Sequence, residues 1–284
     1  MKAYIPAYNV IAPKTLKDAL KNLDKENMVP LAGGTDLMVL MEAGKLPENK
    51  TYVSLHALKE LRGIKVEKEE IKIGALTTFG ELRDNEVLKK EFPLFMEAAR
   101  LLGSIAIQNR ATLGGNIANA SPAADSPPAL LVYDAKLELV SLEGSRIIAL
   151  KDFFLDYKKL FLEEGEIIKT IILPRTSKGL KGHYQKVGTR DAQSISKVCF
   201  CGAVKMKGDI IEDIRLSWGA VAPIPMRSTL TENFLRGKVL EEDVVNDAIE
   251  LLHKEIAPID DIRSNKTYRR KVAVKILRNY LENL

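Results

Sequence analysis

Two glycine pairs, far apart in the chain, constrain its fold more than any other feature. The first lies in Leu31-Ala32-Gly33-Gly34-Thr35-Asp36-Leu37 and the second in Ala111-Thr112-Leu113-Gly114-Gly115-Asn116-Ile117. Each sits among small residues, beside a threonine and next to apolar segments. Glycine lacks Cβ, so its backbone can turn with φ > 0 and other groups can approach it closely. Successive N–H groups in such a turn form an anion-binding concavity. Two of these turns suggest two loops closing on one phosphate-rich ligand, such as the diphosphate of a dinucleotide. Each loop alone also reads as a plain strand–helix turn. Neither has the G-x-G-x-x-G spacing, so a nicotinamide site of that type is not supported.

The 284 residues leave room for a large core and two domains. An apolar content of 46% with 29% charged residues is that of a soluble globular chain. The net charge is +5 and the pI about 9.0. The charges are dispersed in pairs rather than blocks, which reads as a solvated surface and not a nucleic-acid face. A mildly basic surface also suits an acidic protein partner. The first ten residues hold no long apolar run, so no secretory signal is expected. No segment approaches the ~18 apolar residues of a membrane span, and the cytoplasm is the expected location.

Cys199 and Cys201 are the only two cysteines. On a strand their side chains share one face, and they read as small core residues. Two thiolates cannot complete a four-ligand metal or iron–sulfur site, so none is expected in this chain. His56, His183 and His253 show no metal-ligand spacing, and no catalytic role is assigned to them. Trp218 reads as core.

Periodicity places a helix over residues 15–23, with Leu16, Ala19, Leu20 and Leu23 at helical spacing. A short strand over 28–32 enters the first glycine turn, and a helix over 36–43 leaves it. Strands follow at 51–55 and 70–75. Thr78 with Glu81 fits a capping box, and a helix over 93–102 ends at Gly103. A short helix through Ala129, Leu130 and Val132 follows the second loop, with Asp125 placed to cap it. Strands at 136–141 and 166–173 come next. The loop over 175–182 is the expected domain boundary. Beyond it, three antiparallel strands (184–187, 196–206 and 210–219, with a hairpin turn at Lys207-Gly208-Asp209) precede helices over 231–236, 241–255 and 266–284. The last helix is expected to present Tyr268, Val272, Val274, Ile276, Leu277 and Tyr280 near one face.

Three motifs in this order carry a family resemblance: Ala32-Gly33-Gly34-Thr35-Asp36-Leu37, Thr112-Leu113-Gly114-Gly115-Asn116-Ile117 and Ser121-Pro122-Ala123-Ala124-Asp125, with Gly74-Ala75-Leu76-Thr77-Thr78 between the glycine loops. With them the chain resembles the FAD-binding subunit of molybdenum hydroxylases over nearly its whole length. The resemblance implies an α+β fold. Residues 1–175 would form a two-subdomain FAD-binding domain of the vanillyl-alcohol-oxidase type. Residues 182–284 would form the family's α+β C-terminal domain, a three-stranded antiparallel sheet with helices. It further implies that Pro30, Leu31, Ala32, Gly33, Gly34, Thr35, Asp36 and Leu37 form the first flavin-diphosphate loop, and Thr112, Leu113, Gly114, Gly115 and Asn116 the second. Leu102, Ile168 and Lys186 fall at flavin-contact positions, and Asp125 at a contact to the nucleotide half.

The implied function is electron transfer within a multi-subunit molybdenum hydroxylase, with xanthine dehydrogenase as the first choice of complex. Substrate would be hydroxylated at molybdenum in a large, molybdopterin-bearing subunit. Electrons would pass through 2Fe–2S clusters of a small subunit to non-covalent FAD here, and on to NAD⁺ or another oxidant. No catalytic side chain is required of this chain, because a flavin carries the electron-transfer chemistry. Two other classes stay open on the residues alone: a free-standing FAD-dependent oxidase or reductase acting directly on a small substrate, and a scaffold that keeps the fold without FAD.

Overall fold

The computed structural model describes residues 7–177, 180–190 and 193–284. Lys178 and Gly179, in the expected boundary loop, lie outside the described residues. The described residues build three sheets in succession, with a small hairpin besides.

The first sheet is parallel. Strand Thr51–Ser54 lies between Asn9–Ile11 and Met28–Leu31. Parallel neighbours need crossover connections; helix Thr35–Glu42 supplies the one between Met28–Leu31 and Thr51–Ser54, while helix Leu16–Leu23 joins the two outer strands. Thr15 caps that helix by accepting the Asp18 N–H. Its Ala19, Leu20 and Leu23 pack with Val53, Leu55 and Leu58 in a small core. Pro30 lies in an edge strand, where its missing N–H costs no ladder bond.

The second sheet is antiparallel, in the order Ile64–Val66, Glu70–Gly74, Ile167–Pro174, Lys136–Val140, Ser145–Ala149. Ile71, Ile73, Leu137, Leu139, Ile171 and Leu173 are fully buried in its core. Helices Phe79–Arg83, Pro93–Leu101, Leu113–Ala118 and Ser126–Val132 contribute to the same core. The capping box forms as the sequence implies. Thr78 accepts the Glu81 N–H, and the Glu81 carboxylate accepts the Thr78 N–H.

The third sheet runs Lys181–Val187, Val198–Lys207, Ile210–Gly219, Met226–Arg227, followed by helices Thr229–Leu235, Glu242–Glu255 and Lys266–Glu282. It has four strands rather than the expected three. The fourth is two residues long, too short to produce an alternation in the sequence. The central strand Val198–Lys207 is buried on both faces. Val198 and Phe200 join Trp218, Leu252 and Leu277 in one core, while Cys199, Cys201 and Ala203 join the core of the second sheet. The C-x-C spacing therefore seats two small side chains against the preceding unit.

The last helix departs from expectation at Tyr268, which is exposed, while Arg269 is 2% exposed. The Arg269 guanidinium donates to the Lys197 and Ala220 carbonyls at 2.6 and 3.0 Å and pairs with Asp261 at 2.8 Å. Those partners allow a charge to occupy a position that periodicity assigns to an apolar residue.

Candidate cofactor-binding site

The first glycine loop connects strand Met28–Leu31 to helix Thr35–Glu42. Leu31 accepts the Leu55 N–H at 2.9 Å, which ties the loop entrance to the sheet. Gly34 then turns at φ +77°, in the left-handed region that favours glycine. The N–H groups of residues 33–37 have no acceptor among the described residues. A helix start leaves such donors unsatisfied and carries partial positive charge, which suits an anion.

The second loop is built differently. Leu113 donates its N–H to Thr77 O at 3.0 Å and Gly114 to Ala75 O at 2.8 Å. Gly115 donates to Thr112 Oγ1 at 3.2 Å and Asn116 to Thr112 O at 2.9 Å. These N–H groups are committed within the chain, which corrects the expectation of two equivalent N–H concavities. The glycines here serve close approach instead. A Cβ on Gly114 would lie 2.8 Å from Ala75 O, and one on Gly115 would lie 2.8 Å from Thr112 Oγ1.

The two loops touch. A Cβ on Gly33 would overlap the Arg110 carbonyl, and Arg110 Nε donates to Gly33 O at 3.0 Å. Between them lies a cleft of about 90 Å³. Its walls include Ala32 and Gly33 on one side and Asn109, Arg110 and Thr112 on the other, with His56, Arg62, Leu76 and Thr78 between.

From the second loop a chain of polar contacts leads toward the third sheet. Asn116 Oδ1 accepts from Ser126 Oγ at 2.6 Å. Asp125 precedes that serine, but its side chain makes no cap bond, which corrects the capping role. Its carboxylate instead pairs with Lys186 Nζ and accepts from Ser196 Oγ, both at 2.6 Å. The Asp125 carbonyl accepts from Tyr184 OH at 2.9 Å. Burial pushes the Asp125 carboxyl up, while the Lys186 ammonium and the Ser196 hydroxyl pull it down. Lys186 also donates to Leu101 O at 3.1 Å, beside Leu102. Leu102 and Ile168 are both buried in the core of the second sheet.

The structure thus brings together the expected loop residues and, through Asn116 and Ser126, connects them to Asp125, Lys186 and Leu102. Ile168 lies on the strand that helix Leu113–Ala118 packs against. Pro30 is exposed and lines none of this. Sequence reasoning missed His56, Arg62 and Arg110 at the cleft and Ser196 at Asp125. Lys158 Nζ donates to the Asn119 carbonyl, and burial lowers its pKa against the opposing influence of Asp36. Arg110 stands two residues before Thr112 and could have been read with its loop. The others arrive through tertiary contacts. Of the histidines, His253 is half-buried and its carbonyl accepts from Arg270 at 2.7 Å. Cys199 and Cys201 are free and fully buried.

Residues 6–176 match the family described as the FAD binding domain in molybdopterin dehydrogenase. Residues 183–284 match the CO dehydrogenase flavoprotein C-terminal domain. The chain belongs to the FAD-binding medium subunits of the molybdenum hydroxylase family. It is similar to the glyceraldehyde dehydrogenase medium chain of Sulfolobus acidocaldarius, 34% identical over 96% of both chains. It is also similar to a xanthine dehydrogenase FAD-binding subunit of Escherichia coli O157:H7, 32% identical over 90% of this chain and 88% of that one. Among solved structures, a chain of the reconstituted CO dehydrogenase from Oligotropha carboxidovorans superposes with a TM-score of 0.92 over 98% of both chains, at 28% identity. The chain is therefore an oxidoreductase subunit with an FAD-binding domain, in a family whose partner subunits carry 2Fe–2S clusters and molybdopterin. No helix among the described residues is long and apolar enough to cross a membrane.

Proposed function

We propose that this chain is the electron relay of a cytoplasmic, three-subunit molybdenum hydroxylase. It receives electrons from the 2Fe–2S clusters of a small subunit and delivers them to an external oxidant, NAD⁺ among those to be tested. Residues 1–175 hold the flavin nucleotide, and residues 182–284 close the site from the other side. The observation that carries this reading is one connected track. It runs from the free N–H groups of residues 33–37, past the cleft at Thr112 and along the second loop to Asn116 and Ser126, and so to the buried Asp125–Lys186 pair beside Leu102.

The residues fit FAD. Helix-start donors suit a diphosphate, and the Lys186 ammonium has a third N–H beyond Asp125 and Leu101 to offer an acceptor. FAD when bound supplies the exchange between one-electron and two-electron carriers. The chain's own residues bind and orient it, and Asp125 fixes Lys186 in place. Attachment is non-covalent. Cys199 and Cys201 are buried, and burial pushes both thiols far above their ordinary range, which removes the reactive thiolate. Acid precipitation should release all flavin into solution.

The substrate is chosen by the molybdenum subunit, so this chain's site does not select it. Xanthine and glyceraldehyde are the two to test first, because relatives named for each resemble this chain. The test is anaerobic bleaching of the FAD-loaded chain by these substrates, with and without the iron–sulfur and molybdenum subunits. Bleaching only in the assembled complex supports a relay. Rapid bleaching of the chain alone would show a free-standing flavoenzyme.

A further inference from the structure

Arg269 occupies a buried position of helix Lys266–Glu282, on the face that also carries Ala273, Ile276 and Leu277. A cation there costs free energy unless it is fully paired. The pairing is incomplete, because Arg269 Nε has no acceptor among the described residues. Stability alone does not call for such a group, since well-packed apolar side chains often serve a buried position as well. What an apolar side chain cannot do is hold the two carbonyls that Arg269 Nη1 bonds, Lys197 O at 2.6 Å and Ala220 O at 3.0 Å. Asp261, 2.8 Å from Nη2, aims the guanidinium at them.

Both carbonyls lead to the same loop. Lys197 follows Ser196, whose hydroxyl donates to Asp125 Oδ1 at 2.6 Å. Ala220 donates its N–H to Pro122 O at 2.7 Å, three residues before Asp125. One arm thus reaches the Asp125 side chain and the other the backbone that carries it. Ser196 and Lys197 lie outside any strand. The Lys197 backbone is tied by its N–H, donated to Val187 O at 2.7 Å, and by its carbonyl on Arg269. Without Arg269 the carbonyl side of that peptide is loose, and the bond from Ser196 to Asp125 loses its alignment. Ser196 is fully buried, so solvent does not replace that bond. Asp125 Oδ2 holds Lys186 Nζ at 2.6 Å, and Leu101 O takes a second N–H of the ammonium at 3.1 Å. These two bonds set the direction of the third N–H.

We propose that Arg269, in the last helix, is a positioning residue of the cofactor site. It holds the Ser196–Lys197 segment, Ser196 holds the Asp125 carboxylate, and Asp125 sets the direction of the free Lys186 N–H. The inference rests on the flavin-binding reading above, in which that N–H is offered to the cofactor.

The test is a double-mutant cycle on the full chain, with FAD affinity and the reduction potential of bound FAD as readouts and urea unfolding beside them. The proteins are the unaltered chain, Arg269→Met, Ser196→Ala and the double variant. A hydrogen bond to a charged group is worth about tenfold, so Ser196→Ala should bind FAD about tenfold more weakly and Arg269→Met about fivefold. Because the two residues act in series, the double variant should bind about as Ser196→Ala does, whereas independent losses would multiply to about fiftyfold. A well-aimed ammonium favours the electron-rich reduced cofactor. Each single variant should therefore cut the preference for reduced over oxidised FAD about tenfold, a potential lower by about 30 mV. Arg175→Met is the control. Arg175 pairs with Glu91 and makes no bond to this network among the described residues. Its loss should lower urea stability and leave both FAD readouts unchanged. Should Arg175→Met move both readouts as Arg269→Met does, loss of stability alone explains them and the inference fails. Should Arg269→Met be unfolded at the assay temperature, Arg269→Lys takes its place in the cycle, since it keeps one donor for the two carbonyls. Its smaller loss should likewise vanish in the Ser196→Ala background. Unchanged affinity and potential in the folded Arg269 variant would overturn the inference and leave the flavin reading standing, as would losses that multiply in the double variant. Failure of the unaltered chain to bind FAD would overturn the flavin reading itself, and this inference with it.

Discussion

At Gly34 the backbone turns at φ +77°, and the N–H groups around it have no acceptor among the described residues. At Gly114 and Gly115 neither glycine has a positive φ, and the N–H groups are donated to Ala75 and Thr112. The two loops look alike in sequence, yet the first offers its backbone outward and the second spends its backbone on the fold. Their contact joins the roles. The second loop buttresses the first through Arg110 against Gly33 and Gly115 beside Ala32. A glycine pair therefore marks a close approach without saying whether the approaching group is a ligand or another part of the chain.

Substitutions separate the two roles. Gly114→Val should have the largest effect. Its Cβ would press on the backbone and side chain of Ala75, and overpacking against backbone costs about 3 kcal/mol or more. Urea unfolding should show that loss, with FAD binding lost as a consequence of unfolding. Gly34→Ala should cost less, about 1–2 kcal/mol for a Cβ in the left-handed region. Its nearest neighbour is the flexible tip of Leu31 at 3.3 Å, so the fold should survive. FAD affinity should nevertheless fall at least tenfold, since the donors of residues 33–37 shift. Gly115→Ala should be mildest. Its Cβ displaces the Thr112 cap, worth about 1 kcal/mol, but alanine regains about 1 kcal/mol of helix propensity. The net stability change should stay under about 1 kcal/mol, and FAD affinity should fall by no more than a few-fold. A Gly115→Ala variant that folds normally but loses FAD as Gly34→Ala does would break the distinction.

Much of the fold was legible because its signals are local. The spacing of Leu16, Ala19, Leu20 and Leu23 found the first helix, Thr78 and Glu81 announced a capping box, and Gly208 marked the hairpin. Strands of two or three residues, such as Met226–Arg227 and Ile64–Val66, are too short to carry a period and went unseen. In the site, the glycine motifs were visible, but the state of their N–H groups was not. That state depends on the carbonyls of Ala75 and Thr77, which the fold brings from a separate segment. Asp125 looked like a cap by position. Lys186 and Ser196, some sixty and seventy residues further on, claim its carboxylate instead. Buried Arg269 shows the same limit, because its three partners belong to other elements.

Amide hydrogen exchange on the full chain, with and without FAD, tests the contrast between the loops most directly, since it reads each N–H separately. Without FAD, residues 33–37 should exchange quickly and residues 113–116 slowly. With FAD, exchange at 33–37 should slow at least tenfold while 113–116 change little. Fast exchange at 113–116 in the FAD-free chain, slowing on FAD addition as much as 33–37, would contradict the account and restore two equivalent anion-binding loops.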